Sequence, residues 1–248
     1  MNRTSCLLFI ALALLAGCPK RQATLPPPTD ADEAVGRALA QLDSARYKTA
    51  VESFTFVIFN FPGSRQASDA QYWLAETYYR SKDYDQAQTE FDFYLKNFPN
   101  GRFGEEATFK LADSYLRSAP PAVRDQTRAL KAREIITEFL DEYPESPFAP
   151  RAESLAAVIE ERVAAKELGA ARLYFKAGEY RSALVYYAYL ADTRLDMKWT
   201  GLDRYQYGVA LAETGDTARA RQTFEGIVDG NFEAAYKDLA RSRLQPGR

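Results

Sequence analysis

Histidine is absent from this chain of 248 residues, and cysteine stands only at Cys6 and Cys18. The first absence removes histidine general bases, histidine-dependent triads and imidazole metal ligands together. The second leaves no cysteine cluster for a metal, and both cysteines lie too near the N-terminus to staple a core. No long run of Lys or Arg occurs, and 32 basic against 34 acidic side chains give a net charge of −2. Nucleic acid is therefore not an expected partner. No Gly-rich phosphate loop is present. Adjacent carboxylates occur at Glu160-Glu161 and Asp141-Glu142, but neighbours in a helix point about 100° apart and do not face each other. A glycosidase-type carboxylate pair has no supporting motif. The sequence therefore implies no enzyme, no catalytic or metal-ligating residue and no cofactor.

Long apolar runs are also missing. The longest, Leu7 to Ala16, falls far short of the ~20 residues that a membrane-spanning helix needs. Behind the short basic segment Met1-Asn2-Arg3-Thr4 it reads as the apolar region of a signal peptide. It ends in Leu15-Ala16-Gly17-Cys18, which resembles the bacterial lipoprotein box. That resemblance implies cleavage after residue 17 and acylation of Cys18, with Cys6 lost in the leader. Pro19 follows the cysteine in place of the Asp that marks inner-membrane retention, which favours the outer membrane. Residues 18–29, with Pro26-Pro27-Pro28, read as a stiff tether reaching roughly 35 Å at ~3.1 Å per residue.

What the sequence does contain is a repeat. In the stretch Tyr84 to Pro99, Ala87, Phe91, Tyr94 and Leu95 form one apolar stripe at helical spacing, and Pro99 ends it. Tyr47, Ala50, Phe54, Val57 and Pro62 repeat the pattern 37 residues earlier. Ala129, Ala132, Ile136, Phe139 and Pro144 repeat it 45 later, Tyr180, Ala183, Tyr187 and Leu190 after a further 51, and Thr217, Ala220, Phe224 and Ile227 after 37 more. A second small residue precedes each copy: Ala38, Ala75, Ala112, Ala171 and Gly208. A small-residue helix, a turn, an Ala-x3-aromatic helix and then Pro is the tetratricopeptide pattern.

The fold implied is all-α, a solenoid of five helical hairpins in two groups. Hairpins one to three occupy residues 30–148, and hairpins four and five occupy residues 149–244. A proline-free helix from Arg151 to Lys176, ~40 Å long at 1.5 Å per residue, joins the two groups. Leu155, Ile159 and Val163 stack along it at i+4. Phe232 to Leu244 reads as a capping helix. In hairpin three an insertion over 120–127 lengthens the turn, as a surface loop or a partner-contacting one.

The lipoprotein box, the five hairpins, the segment from Arg124-Asp125-Gln126-Thr127 through Phe139-Leu140-Asp141-Glu142-Tyr143-Pro144 to Ala149, and the long helix running into Gly178-Glu179-Tyr180-Arg181-Ser182-Ala183 together resemble the BamD, or ComL-type, lipoprotein family. The resemblance covers about residues 15–230. It implies a lipid-anchored scaffold on the periplasmic side of the outer membrane, within the β-barrel assembly machinery. Its partners would be the periplasmic domains of the barrel protein, the C-termini of unfolded outer-membrane proteins and other assembly lipoproteins. Two departures stand out: Asp192-Thr193-Arg194-Leu195 replaces the family's Tyr-Pro after the fourth hairpin, and the first helix lacks its usual aromatic. The other reading is an envelope tetratricopeptide lipoprotein that coordinates cell division or peptidoglycan synthesis.

Counting from the small-residue register, the concave face of hairpin two presents Tyr72, Glu76, Tyr79 and Arg80, and that of hairpin three Phe109, Asp113, Leu116 and Arg117. Aromatics beside Arg and carboxylates suit an extended or C-terminal peptide, held by stacking and bidentate pairing. A shift of one residue in phase would instead place Tyr72, Tyr79 and Phe109 in the core between helices.

Overall fold

The structure, a computed structural model, describes residues 28–121, 124–194 and 198–245. The expected leader, the Cys18 lipidation site and most of the tether lie outside the described residues, as do Ala122 and Val123 of the insertion. Among the described residues there are eleven helices and no strand. They are α1 Ala31–Asp43, α2 Tyr47–Asn60, α3 Arg65–Arg80, α4 Tyr84–Asn97, α5 Gly104–Ser118, α6 Thr127–Glu142, α7 Ala149–Lys176, α8 Tyr180–Thr193, α9 Gly201–Glu213, α10 Thr217–Asp229 and α11 Ala234–Leu244. Each packs mainly on its sequence neighbours, as in a solenoid built from local contacts.

Helix ends follow from local chemistry. Asp30 caps α1 by accepting from the Glu33 N–H, and Asp83 and Asp216 cap α4 and α10 in the same way. Phe61, Phe98 and Tyr143 end α2, α4 and α6 in one shared non-helical geometry, with ψ of 49°, 60° and 57°, each directly before a proline that cannot continue the helix. Arg194 ends α8 with φ −122° and ψ 65°, so this cap survives where the Tyr-Pro signal is missing. The turns inside four hairpins share a left-handed residue five positions before the register alanine: Ala45 (φ 54°), Lys82 (65°), Gly178 (79°) and Gly215 (96°).

The repeat alanines lie where helices approach. Ala38, Ala50, Ala75, Ala87, Ala112, Ala132, Ala171 and Ala183 are fully buried. At Gly208 even a methyl would come within 2.7 Å of the Phe224 ring. The aromatics Phe54, Phe91, Phe139 and Tyr187 fill the space beside them and supply much of the buried apolar area that stabilises each hairpin.

The long joining helix is 28 residues, or ~42 Å at 1.5 Å per residue. It begins two residues earlier than the sequence implied, because Pro150 sits in its first turn, where a missing N–H costs nothing. Leu155 and Ile159 close the core of hairpins two and three, and Val163 packs on it. Leu168 and Ala171 belong to a second core, built with α8 to α11. One helix thus serves both cores.

Candidate functional site

α3 carries Tyr72, Glu76 and Arg80 at i, i+4 and i+8, and α5 carries Phe109, Asp113 and Arg117 at the same spacing. The structure separates these residues by depth. Tyr72 is 1% exposed and stacks on Phe103, with centroids 4.1 Å apart. Phe109 is 4% exposed, beside Phe148 and beneath the Arg151 guanidinium at 4.6 Å. Leu116 is also buried. This corrects the concave-face placement of Tyr72 and Phe109. α3 and α5 are each covered by three or more neighbouring helices, so their buried arcs are wider than one amphipathic stripe. α3 buries nine positions, including Asp69, Gln71 and Glu76.

Between these helices the charged residues converge. The Glu76 carboxylate, 4% exposed, accepts from Arg80 Nε at 2.7 Å and from Lys110 Nζ. Lys110 also pairs with Glu106 at 3.1 Å and donates to the Tyr72 hydroxyl at 3.4 Å. Asp113 accepts from Arg117 Nε at 2.6 Å and from the Tyr79 hydroxyl. The Arg117 guanidinium lies 5.7 Å from the Tyr79 ring centroid, within cation–π range. Burial, and then the hydrogen bond to Asp113, push the Tyr79 phenol above its ordinary value. The same carboxylate raises Arg117, as hydrogen-bond partner and as charge.

Glu76 and Asp113 are thereby occupied as internal anchors. What solvent reaches is Arg80, with its side chain 40% exposed, Arg117, 50% exposed, and the half-buried Tyr79. Two cations held by buried carboxylates, with Tyr79 beside Arg117, can receive an acidic or carboxylate-ended peptide. Lys110 is the residue that sequence reasoning missed. It stands three positions before Asp113 on the same helix face, a spacing visible in the sequence. Among the described residues, no cluster of acidic, Cys or His side chains could hold a metal ion. No described helix is long and apolar enough to cross a membrane.

A family model described as an outer membrane lipoprotein, YfiO, matches residues 28–203. The chain belongs to this family. The YfiO match reaches Asp203 in α9, and a tetratricopeptide-repeat model takes up the following residues, 204–229. Together they make the protein a BamD-type tetratricopeptide lipoprotein, a protein-interaction scaffold of the cell envelope. No match was found among curated proteins. Among solved structures, the TPR2AB-domain:pHSP90 complex of yeast Sti1 is similar at 14% identity and TM-score 0.49, covering 86% of this chain and 84% of that one. A TPR repeats protein from Bacteroides fragilis NCTC 9343 is similar at 19% identity and TM-score 0.41, covering 89% and 94%. A tetratricopeptide repeat protein from Parabacteroides merdae is similar at 14% identity and TM-score 0.41, covering 88% and 86%.

Proposed function

We propose that this YfiO-family lipoprotein is a scaffold of the β-barrel assembly machinery. It is anchored in the outer membrane through an acylated Cys18 and faces the periplasm. It binds the periplasmic domains of the barrel protein and the C-termini of unfolded outer-membrane proteins, alongside other assembly lipoproteins. The observation that carries this reading is the family match across α1 to the start of α9. The geometry supports it in two ways. Two packed cores on one continuous helix let one end hold a resident partner while the other receives clients. In the first three hairpins, Arg80, Arg117 and Tyr79 are positioned by buried carboxylates, and such a surface recognises an aromatic end and a carboxylate without transforming either.

Client binding is tested by titrating a labelled peptide ending in Phe against the detergent-solubilised full chain and its Arg80→Ala and Arg117→Ala variants. Removing a hot-spot Arg costs at least ~2 kcal/mol, a roughly thirtyfold loss. Unchanged affinity in both folded variants would place the client site elsewhere.

A further inference from the structure

A cleft of about 370 Å³ opens between α9 and α10, beside the C-terminal end of α8, and is lined by Arg204, Tyr207, Arg219, Gln222 and Thr223. Its arginines are held differently from three others in the molecule. Arg80, Arg117 and Arg172 each sit on a carboxylate at 2.6 or 2.7 Å. Arg204 has no carboxylate partner among the described residues. Its guanidinium instead lies 5.4 Å from the Trp199 ring centroid. That indole is fixed in turn by Tyr187 and Tyr207, at 6.0 and 5.7 Å.

The second cation is placed by a different device. Arg219 Nη2 donates to the Tyr207 hydroxyl at 2.6 Å, and Tyr207 is 4% exposed. The carboxylate that approaches Arg219 is Asp192, at 3.8 Å and on an exposed side chain. Asp216 is engaged as the α10 cap. A partly buried Arg204 and an Arg219 whose side chain is 48% exposed therefore share one cleft, with Asp192 loosely held at its edge.

We propose that this cleft binds a carboxylate of a partner's peptide chain, with Arg204 as the bidentate anchor and Arg219 as the second point of contact. A guanidinium resting on an aromatic ring keeps its N–H edge available in the ring plane. Two parallel N–H bonds from that edge match the two oxygens of a carboxylate. The volume suits one side chain or one chain end. Small residues at Ala191 and Gly226 in the wall leave room for the backbone that carries it. The site is separate from Arg80 and Arg117, on the other core, and does not depend on the assembly reading.

The test is fluorescence anisotropy on the detergent-solubilised full chain with three short rhodamine-labelled peptides of otherwise equal composition. One has an internal Glu and an amidated end, one has no acidic residue and a free C-terminal carboxylate, and one has neither. At least one of the first two should bind roughly tenfold more tightly than the neutral peptide, and which of them does identifies the source of the carboxylate. Arg204→Gln should abolish that advantage and Arg204→Lys should keep part of it, because an ammonium retains the charge without the fork. Circular dichroism should be the same for all three proteins, since Arg204 holds no other helix. Equal binding of the neutral peptide, absence of binding by every peptide, or an Arg204→Gln variant that keeps the preference would each overturn the assignment.

Discussion

Arg172 grips Asp203 through two hydrogen bonds, Nε to Oδ1 at 2.6 Å and Nη2 to Oδ2 at 2.8 Å, and Asp203 is completely buried. The pair ties the long helix α7 to α9. The Asp203 backbone N–H also donates to the Thr200 hydroxyl at 3.2 Å, which caps α9. The bond raises the Arg172 guanidinium above its usual value, burial opposing it. Asp203→Ala should therefore destabilise the second core by about 2–3 kcal/mol. That lies below the full 3–5 kcal/mol for breaking a buried pair, because Arg172 stays half exposed to water. Hydrogen exchange should quicken across α8 to α11 and stay unchanged in α3 to α5. Uniform acceleration along the chain would show that the two cores unfold as one.

Glu76 and Lys110 form the corresponding tie in the first core, with side chains only 5% and 10% exposed. Removing one charge strands the other, so Glu76→Leu should cost about 3 kcal/mol in chemical denaturation. The double variant Glu76→Leu with Lys110→Met replaces both charges with apolar groups of similar size and should recover most of that loss. A double variant less stable than either single one would mean that Glu106, Tyr72 and Arg80 depend on the pair.

The shared turn gives a test of backbone strain. Lys82 holds φ at 65°, where Gly178 and Gly215 hold the same position of their hairpins. A left-handed conformation costs an L-residue roughly 1–2 kcal/mol, partly offset by the greater freedom that glycine loses on folding. Lys82→Gly should stabilise the protein by up to about 1 kcal/mol and Gly178→Ala should destabilise it by a similar amount, read as opposite shifts in thermal midpoint. Shifts of the same sign would contradict the turn geometry.

Much of the fold was legible because it is written in local terms. Ala87, Phe91 and Pro99 specify a helix, its packing partner and its end within one stretch; the other four copies repeat the alanine and the large apolar residue after it, and two of them, before Pro62 and Pro144, also repeat the proline. The long helix was legible from the absence of proline between Arg151 and Lys176. The site was less so. A stripe count assumes one buried side per helix, whereas α3 and α5 are enclosed on several, so Tyr72 and Phe109 went to the wrong depth while Arg80 and Arg117 remained accessible. Lys110 escaped notice because a lysine reads as solvated until its partner, 34 residues away in sequence, is placed beside it. The Arg204 cleft was beyond sequence reasoning altogether, since nothing local shows that Arg204 and Arg219, fifteen residues apart, line one cleft.

The central claim is that this chain works at the outer membrane as a scaffold for barrel assembly. The most direct measurement is affinity purification of the tagged full chain from detergent-solubilised membranes, with mass spectrometry of what accompanies it. The account predicts a large β-barrel protein with periplasmic repeat domains, in near-stoichiometric amount. Recovery of division or peptidoglycan-synthesis proteins with no such barrel protein would contradict it.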